Sequence, residues 1–584
     1  MSGQDEPKGG ISSFSVGLGS GAPRAVAVTP PPPFRILIAG DFGFAPDTGV
    51  IDVNGLDVAE ILEDNRPDFH VRAPNGLGSH PSEIEERISF DAVRDLRPAT
   101  IAGKFGFFQE VDPARNDADR LSEFGQLYDK VIRALQDSSA SFGRSSQDAP
   151  QVSEHSQADE APSPSSDDKA DGLDALFSMI DSPAASGKSS DSSDVAKAAV
   201  DAFVRKTLRE ESQDFVKPVA KADKGTPVDA LLSAQCQAFF DVPKLGTVVE
   251  NWQSLKLLLS ELQATLPFEL HLQQLDSDLA PEALDAVICG YDGVLQAELY
   301  DVVLFANKTG ASGQGADNLK TITRACAESD TVGLVALEAD FAGVPGEQLA
   351  GMEAPHQLLS EPGYEGFQGL RESDAASHVA LFWNEARLYT ADTSWPAVFA
   401  SGAWIALARI LAQLDREVFP SMPVGVPADF DALEVEESLS MGKSVATATR
   451  YLAGPGAAPS LAQFGINVLE GVANRTSLVF RRGVTLKPGK EGRGSLDQAL
   501  LVSRLFSLFQ EALGGALSPG QSADARVEAV SANLEQLSAS LSGQVVFQVQ
   551  RVQAEDQDLI SVAASVQSGW AASQSHSFYL PAEG

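Results

Sequence analysis

The apolar positions of this chain change period along its length, and each change marks an element. Ile36-Leu37-Ile38-Ala39, closed by Gly40, is a buried-type strand. Leu56, Ala59, Ile61 and Leu62 predict a short helix; His70-Val71-Arg72 and Ile84–Phe90 predict strands. Phe124, Leu127, Tyr128, Val131, Ile132 and Leu135 recur at three- and four-residue steps, which predicts an amphipathic helix closing this segment. Helical intervals return at Val195–Leu208, at Val228–Phe240 and around Val248–Leu255. From residue 266 strands and helices alternate: strands at Phe268–Leu272, Ala286–Cys289 and Val302–Phe305, a helix at Asn318–Ala327, then a strand at Val332–Leu337. That order predicts a helix-covered mixed α/β (α+β) sheet. Trp395–Leu411 and Leu496–Leu513 read as long helices with one apolar face, and Gln544–Val552 with Leu559–Val566 reads as a terminal hairpin.

Two stretches fall outside these periods. In residues 1–33, Phe14, Val16 and Leu18 alternate with Ser13, Ser15 and Gly17, which is strand spacing, and Pro30–Pro33 form a stiff extended spacer. Residues 136–194 are rich in Ser and Asp, too polar to bury enough apolar surface to offset their ordering entropy; the composition predicts a disordered linker. Inside it Leu173, Leu176, Phe177 and Ile180 fall on one helical face, with Asp171 placed to cap it.

Composition narrows the function classes. The formal charge is −38, so the body of the protein repels phosphate backbones and anionic lipid; neither nucleic acid nor membrane insertion is expected. No run of eighteen apolar residues occurs, and the first residues lack the basic and apolar regions of a secretory signal. Cys236, Cys289 and Cys326 form no Cys-x-x-Cys pair, which fits a reducing cytoplasm and predicts no zinc site.

Enzyme motifs fare poorly. Gly442-Lys443-Ser444 ends like a phosphate-binding loop, but Glu437 stands where its first glycine is required. Asp41, after the first strand, is expected to cap a turn rather than catalyse. His271 and His378 read as satisfied core histidines, and Arg371, Glu372 and Asp374 as a surface or interface salt-bridge cluster. No catalytic residue, cofactor or metal is expected.

Several segments resemble, in order, the small and large contractile-sheath subunits of the bacterial type VI secretion system. Ile36–Phe42 with its Gly40-Asp41-Phe42, Ile51–Leu56, and Phe90 with Asp95-Leu96-Arg97-Pro98 are similar to the small subunit. Glu250-Asn251-Trp252-Gln253-Ser254-Leu255-Lys256, Leu370–Asp374, Phe399–Trp404 and Phe464–Leu469 are similar to the large one. The family's glycine-rich turn and Ile-Gly-Asp-Tyr strand have no clear counterpart, and residues 412–460 match poorly.

The resemblance implies a contractile-sheath-like core and five regions: an extended arm (1–33), a small-subunit-like domain (34–135), the linker (136–194) carrying helix 173–180, a helical arm (195–265), and a large-subunit-like domain (266–584) ending in hairpin 544–566. It implies a polymer built around an inner tube protein on a baseplate, with energy held in the lattice. Phe14, Val16 and Leu18 would lie on the strand donated to a neighbour, and Val545, Phe547, Val549, Leu559 and Val562 on the hairpin that accepts it. Leu173, Leu176, Phe177 and Ile180 would be the helix gripped by the AAA+ unfoldase ClpV. The rival readings are an adaptor that caps or tunes a sheath made by other subunits, and an unrecognised α/β enzyme.

Overall fold

The computed structural model describes residues 31–114, 118–144, 226–262, 267–276, 280–289, 293–392, 394–440, 443–489, 494–514, 521–554 and 557–582. Its strands are β1 (Phe34–Gly40), β2 (Ile51–Asp52), β3 (Asp68–Pro74), β4 (Glu83–Ser89), β5 (Phe268–Gln274), β6 (Val302–Thr309), β7 (Val332–Leu337), β8 (Val379–Trp383), β9 (Glu385–Tyr389), β10 (Val398–Ser401), β11 (Glu436–Ser440), β12 (Lys443–Thr447), β13 (Ile466–Gly471), β14 (Leu478–Phe480), β15 (Val545–Ala554), β16 (Gln557–Val566) and β17 (Ser575–Pro581).

Eight of these make one sheet in the order β14-β13-β8-β7-β6-β1-β5-β2. The six inner strands are parallel, and β2 and β14 close the ends antiparallel. Parallel strands must be covered on both faces, which explains their near-continuous apolar runs. Alternation along β1 divides the core: Ile36 and Ile38 face one layer with Trp252 and Leu255, while Leu37 and Ala39 face another with Leu319 and Ile322.

The position of β1 shapes the whole molecule. Its Ile38 is in register with Leu272 of β5 on one side and Leu304 of β6 on the other. A strand from the first segment therefore sits inside the sheet of the second. The mixed, helix-covered architecture is as the periodicity indicated.

Three local readings are corrected. Ala286–Cys289 belongs to a helix, Pro281–Cys289, whose Leu284 and Ile288 are buried one turn apart; four apolar residues alone do not distinguish strand from helix. Trp395–Leu411 is not one helix. Val398–Ser401 pairs antiparallel with β9, and the helix spans Gly402–Leu411. The expected helix at 124–135 starts only at Asp129, because Gly125 takes a left-handed φ of 65°.

The C-terminal hairpin is also larger than expected. β17 pairs along β16, giving the order β15-β16-β17. Arm 1–30, most of the linker with its 173–180 helix, and helix 195–208 lie outside the described residues.

Candidate functional site

The C-terminal sheet is built by strict alternation. Val545, Ile560, Val562, Ala564 and Val566 are buried against Leu505, Leu508 and Phe509 of the Leu496–Leu513 helix and Val530 and Leu534 of the Ala523–Ser540 helix. Phe509 stacks on Phe578 of β17 at 5.0 Å. Val546 and Tyr579, on the opposite face, are exposed. Burial of the inner side chains fixes the register, since a one-residue slip would turn every one of them outward.

This places the expected acceptor residues unequally. Val545, Phe547, Val549 and Val562 face the supporting helices, while Leu559 pairs with Val552 on the other face. β16, which carries Leu559 and Val562, is already paired on both sides, so a further strand has only β15 or β17 to join.

On β15 the open groups follow from the register. Gln567 donates its N–H to the Gln544 carbonyl, which puts the alternate residues 546, 548, 550 and 552 in hydrogen bonds with β16. Consistently, Val566 and Ala582 donate toward the β17 side, to Gln574 and from β17 to Asp558 respectively. The main-chain groups of Val545, Phe547, Val549, Arg551 and Gln553 thus point away from the sheet. Ser538 Oγ donates to the Val545 carbonyl at 2.6 Å and closes the first. Among the described residues four remain as an unpaired edge, the arrangement that invites strand addition. Arg551, bound to Asp558 at 2.8 Å and to Asp524 at 3.1 Å, is the one charge fixed along it.

The helix beneath this sheet also holds Pro32 and Pro33, the residues just ahead of β1. Arg504 donates to the carbonyls of Pro32 (2.6 Å) and Pro33 (2.9 Å) and forms an ion pair with Asp301 at 3.0 Å. Asp301 in turn accepts from the Arg35 N–H at 2.8 Å and from Ser507. Both charged side chains are nearly inaccessible, and each has hydrogen-bonding partners that offset desolvation. One face of the Leu496–Leu513 helix therefore holds the residues that lead into β1 while another carries the sheet.

The crevice at the carboxyl ends of the parallel strands, where α/β sheets commonly hold ligands, is here knitted shut by protein groups. Asp41 accepts from the Gly43 N–H (3.1 Å) and from Gln274 (3.0 Å), and burial pushes its carboxyl above the ordinary range. Asn251 donates to the Asp41 carbonyl at 2.9 Å, and Asn307 to the Leu275 carbonyl at 2.7 Å. A Cβ on Gly40 would stand 2.9 Å from Ala306 Cβ, so the close approach of β1 and β6 needs glycine. Asp41 is a turn cap.

Other candidates resolve similarly. His271 Nδ1 lies 3.0 Å from the Tyr300 hydroxyl, and burial lowers the His378 pKa. In place of the expected Arg371–Glu372–Asp374 cluster, Arg371 lies over the Phe464 ring at 4.1 Å and donates to the Gln463 carbonyl, and Asp374 pairs with Lys487. Lys443 opens a strand rather than a helix, so the phosphate-loop geometry is not built. Among the described residues no helix is long and apolar enough to cross a membrane.

No protein-family model matches the chain, and no curated protein matches it. Among solved structures it is similar to a chain of the anti-feeding prophage (AFP) baseplate, at 14% identity, covering 56% of this chain and 78% of that one, with a TM-score of 0.32. It is also similar to the sheath tail protein Lin1278 from Listeria innocua, at 10% identity, covering 54% of this chain and 63% of that one, with a TM-score of 0.30.

Proposed function

We propose that this chain is a structural protomer of a type VI secretion contractile sheath, with small- and large-subunit halves fused in one polypeptide. It polymerises in the cytoplasm around an inner tube protein on a baseplate. The work of contraction comes from rearranged contacts between copies. The observation that carries this reading is the unpaired edge of β15 on the same helix that holds the residues leading into β1.

Residues 11–18 of one copy, with Phe14, Val16 and Leu18 on one side, would add to β15 of the next. Each main-chain hydrogen bond is worth about 0.5–1.5 kcal/mol net, so several formed together hold neighbours while the arm lets the bodies rotate. The Leu173–Ile180 segment, with Leu176 and Phe177, is the proposed handle for the ClpV unfoldase after contraction. The position of β1 inside the common sheet favours the two halves working as one body rather than as separable subunits.

Negative-stain microscopy of the purified chain tests the reading. Long tubes that disappear when residues 1–20 are deleted, with a folded monomer left behind, are the expected result. Monomers that instead shorten tubes made by other sheath subunits would replace it with the adaptor reading.

A further inference from the structure

A polymer of copies each bearing a formal charge of −38 must bring unlike charges together somewhere, and the structure offers two surfaces for this. Residues 472–487 carry Arg475, Arg481, Arg482 and Lys487 and no carboxylate. Arg475 is exposed at the turn between β13 and β14, and Arg481 and Arg482 are exposed just beyond β14. Arg481 is 2.8 Å from Glu470 and Lys487 pairs with Asp374, whereas Arg475 and Arg482 have no ion-pair partner among the described residues.

An apolar strip lies beside the Arg481-Arg482 end of this stretch. Gly425 donates its N–H to the Phe480 carbonyl at 2.7 Å, and Val424 Cγ1 would be 3.4 Å from a Cβ on Gly483. Val424 and Val426 are 43% and 57% exposed. The β14 edge of the sheet thus presents two exposed valines near Arg482, with Arg475 exposed at the turn that precedes the strand.

Residues 338–374 are its complement. They contain eight carboxylates against one cation, Arg371, and all eight are exposed. Among the described residues only Asp374 is ion-paired. The helices Gly346–Gly351 and Glu365–Glu372 hold this face in place by packing Leu349 and Phe367 against Leu381 and Trp383. Met422 and Phe480, beneath the basic end, belong with Phe382 to the opposite layer of the sheet. Within one copy Lys487 bridges the two stretches, through Asp374 and the Ser373 carbonyl, and Arg475 and Arg482 make no such pairing among the described residues.

We propose that Val424, Val426, Arg475 and Arg482 dock onto the acidic face around Glu347 and Glu361 of a second copy, joining copies head to tail. Because the two surfaces differ, each contact leaves one of each kind free, and the association propagates instead of closing as a symmetric dimer. The contact deepens the protomer reading, resting on it only in that copies associate; it is separate from the β15 edge.

Sedimentation velocity of the full chain tests it with two variants, Arg475→Glu/Arg482→Glu and Glu347→Lys/Glu361→Lys, each verified as folded by circular dichroism. Wild type associates at about 0.05 M salt and weakens at about 0.5 M. Each variant alone loses about tenfold or more in association, because like charges now face each other. An equimolar mixture of the two recovers it, since the acidic end of one meets the basic face of the other. Variants that associate like wild type, a mixture that stays apart, or a wild type that is monomeric at low salt would overturn the contact. Salt-sensitive chains that never become tubes would sink the sheath reading alone; tubes indifferent to both variants would sink only this contact.

Discussion

The Trp252 indole donates its N–H to the carbonyl of Phe42 at 2.8 Å, and the two rings meet edge to face with centroids 5.7 Å apart. The residues are 210 positions apart, and each lies in one of the stretches whose sequence resembles a sheath subunit. Asn251 makes the adjoining bond to Asp41. The Gly40-Asp41-Phe42 turn of the first half is thus held by the Asn251-Trp252 step of the second.

Removing that clamp should unsettle both halves together. Trp252 is fully buried, and Trp252→Ala is expected to cost about 3–5 kcal/mol, the range for deleting a large core aromatic. Chemical denaturation should show one transition moved to lower denaturant. Two separate transitions, with only one displaced, would contradict the shared core.

Cutting the chain between the two segments makes a complementary test. A protease site introduced between residues 145 and 225 should be cleaved without separating the fragments, since β1 pairs with both β5 and β6. The fragments should elute together on a native sizing column and part only in denaturant. Spontaneous separation would mean that β1 is not held as described.

Sequence periodicity revealed much of this architecture and little of its connectivity. The apolar runs of β1, β6 and β7 stand out because parallel strands are buried on both faces. Nothing in those runs says that β1 would slip between β5 and β6, since strand order is set by long-range packing rather than by local pattern. β17 escaped because Ser575–Pro581 offers only Phe578 and Leu580 as inward apolar positions, with the polar His576 as the third residue of that face. Asp41 was legible as a turn cap because an Asp just after a strand can accept from the N–H two residues on. The Arg504–Asp301 pair had no local signal at all, its members being 203 residues apart.

Acid should weaken the fold through Glu385. Burial works against its charge, but the Lys308 ammonium and the Arg450 guanidinium prevail and hold its pKa down at about 2. An unfolded glutamate titrates at about 4.3, so the unfolded chain takes up this proton first as pH falls. Glu385 therefore stabilises the fold fully above that value and ceases to do so as pH falls through about 2. Between about pH 5 and pH 2.5 the Tm of wild type should fall more steeply than that of Glu385→Gln. Parallel slopes would show that the pair adds nothing to folding.

Proline separates the edge of β15 from its interior side. The Val549 N–H points to the open edge, so Val549→Pro should leave the fold standing yet block strand addition. The Gln550 N–H faces β16, so Gln550→Pro should instead destabilise the C-terminal sheet itself. Circular dichroism and electron microscopy of both variants read the two effects. Tubes formed normally by Val549→Pro would exclude β15 as the acceptor.

The most direct measurement is a cryo-EM reconstruction of the assembled full-length chain at a resolution that traces strands. It should show residues 11–18 of one copy hydrogen-bonded alongside Val545–Ala554 of the next. An assembly in which β15 keeps a bare edge, or in which residues 11–18 return to their own body, would contradict the account.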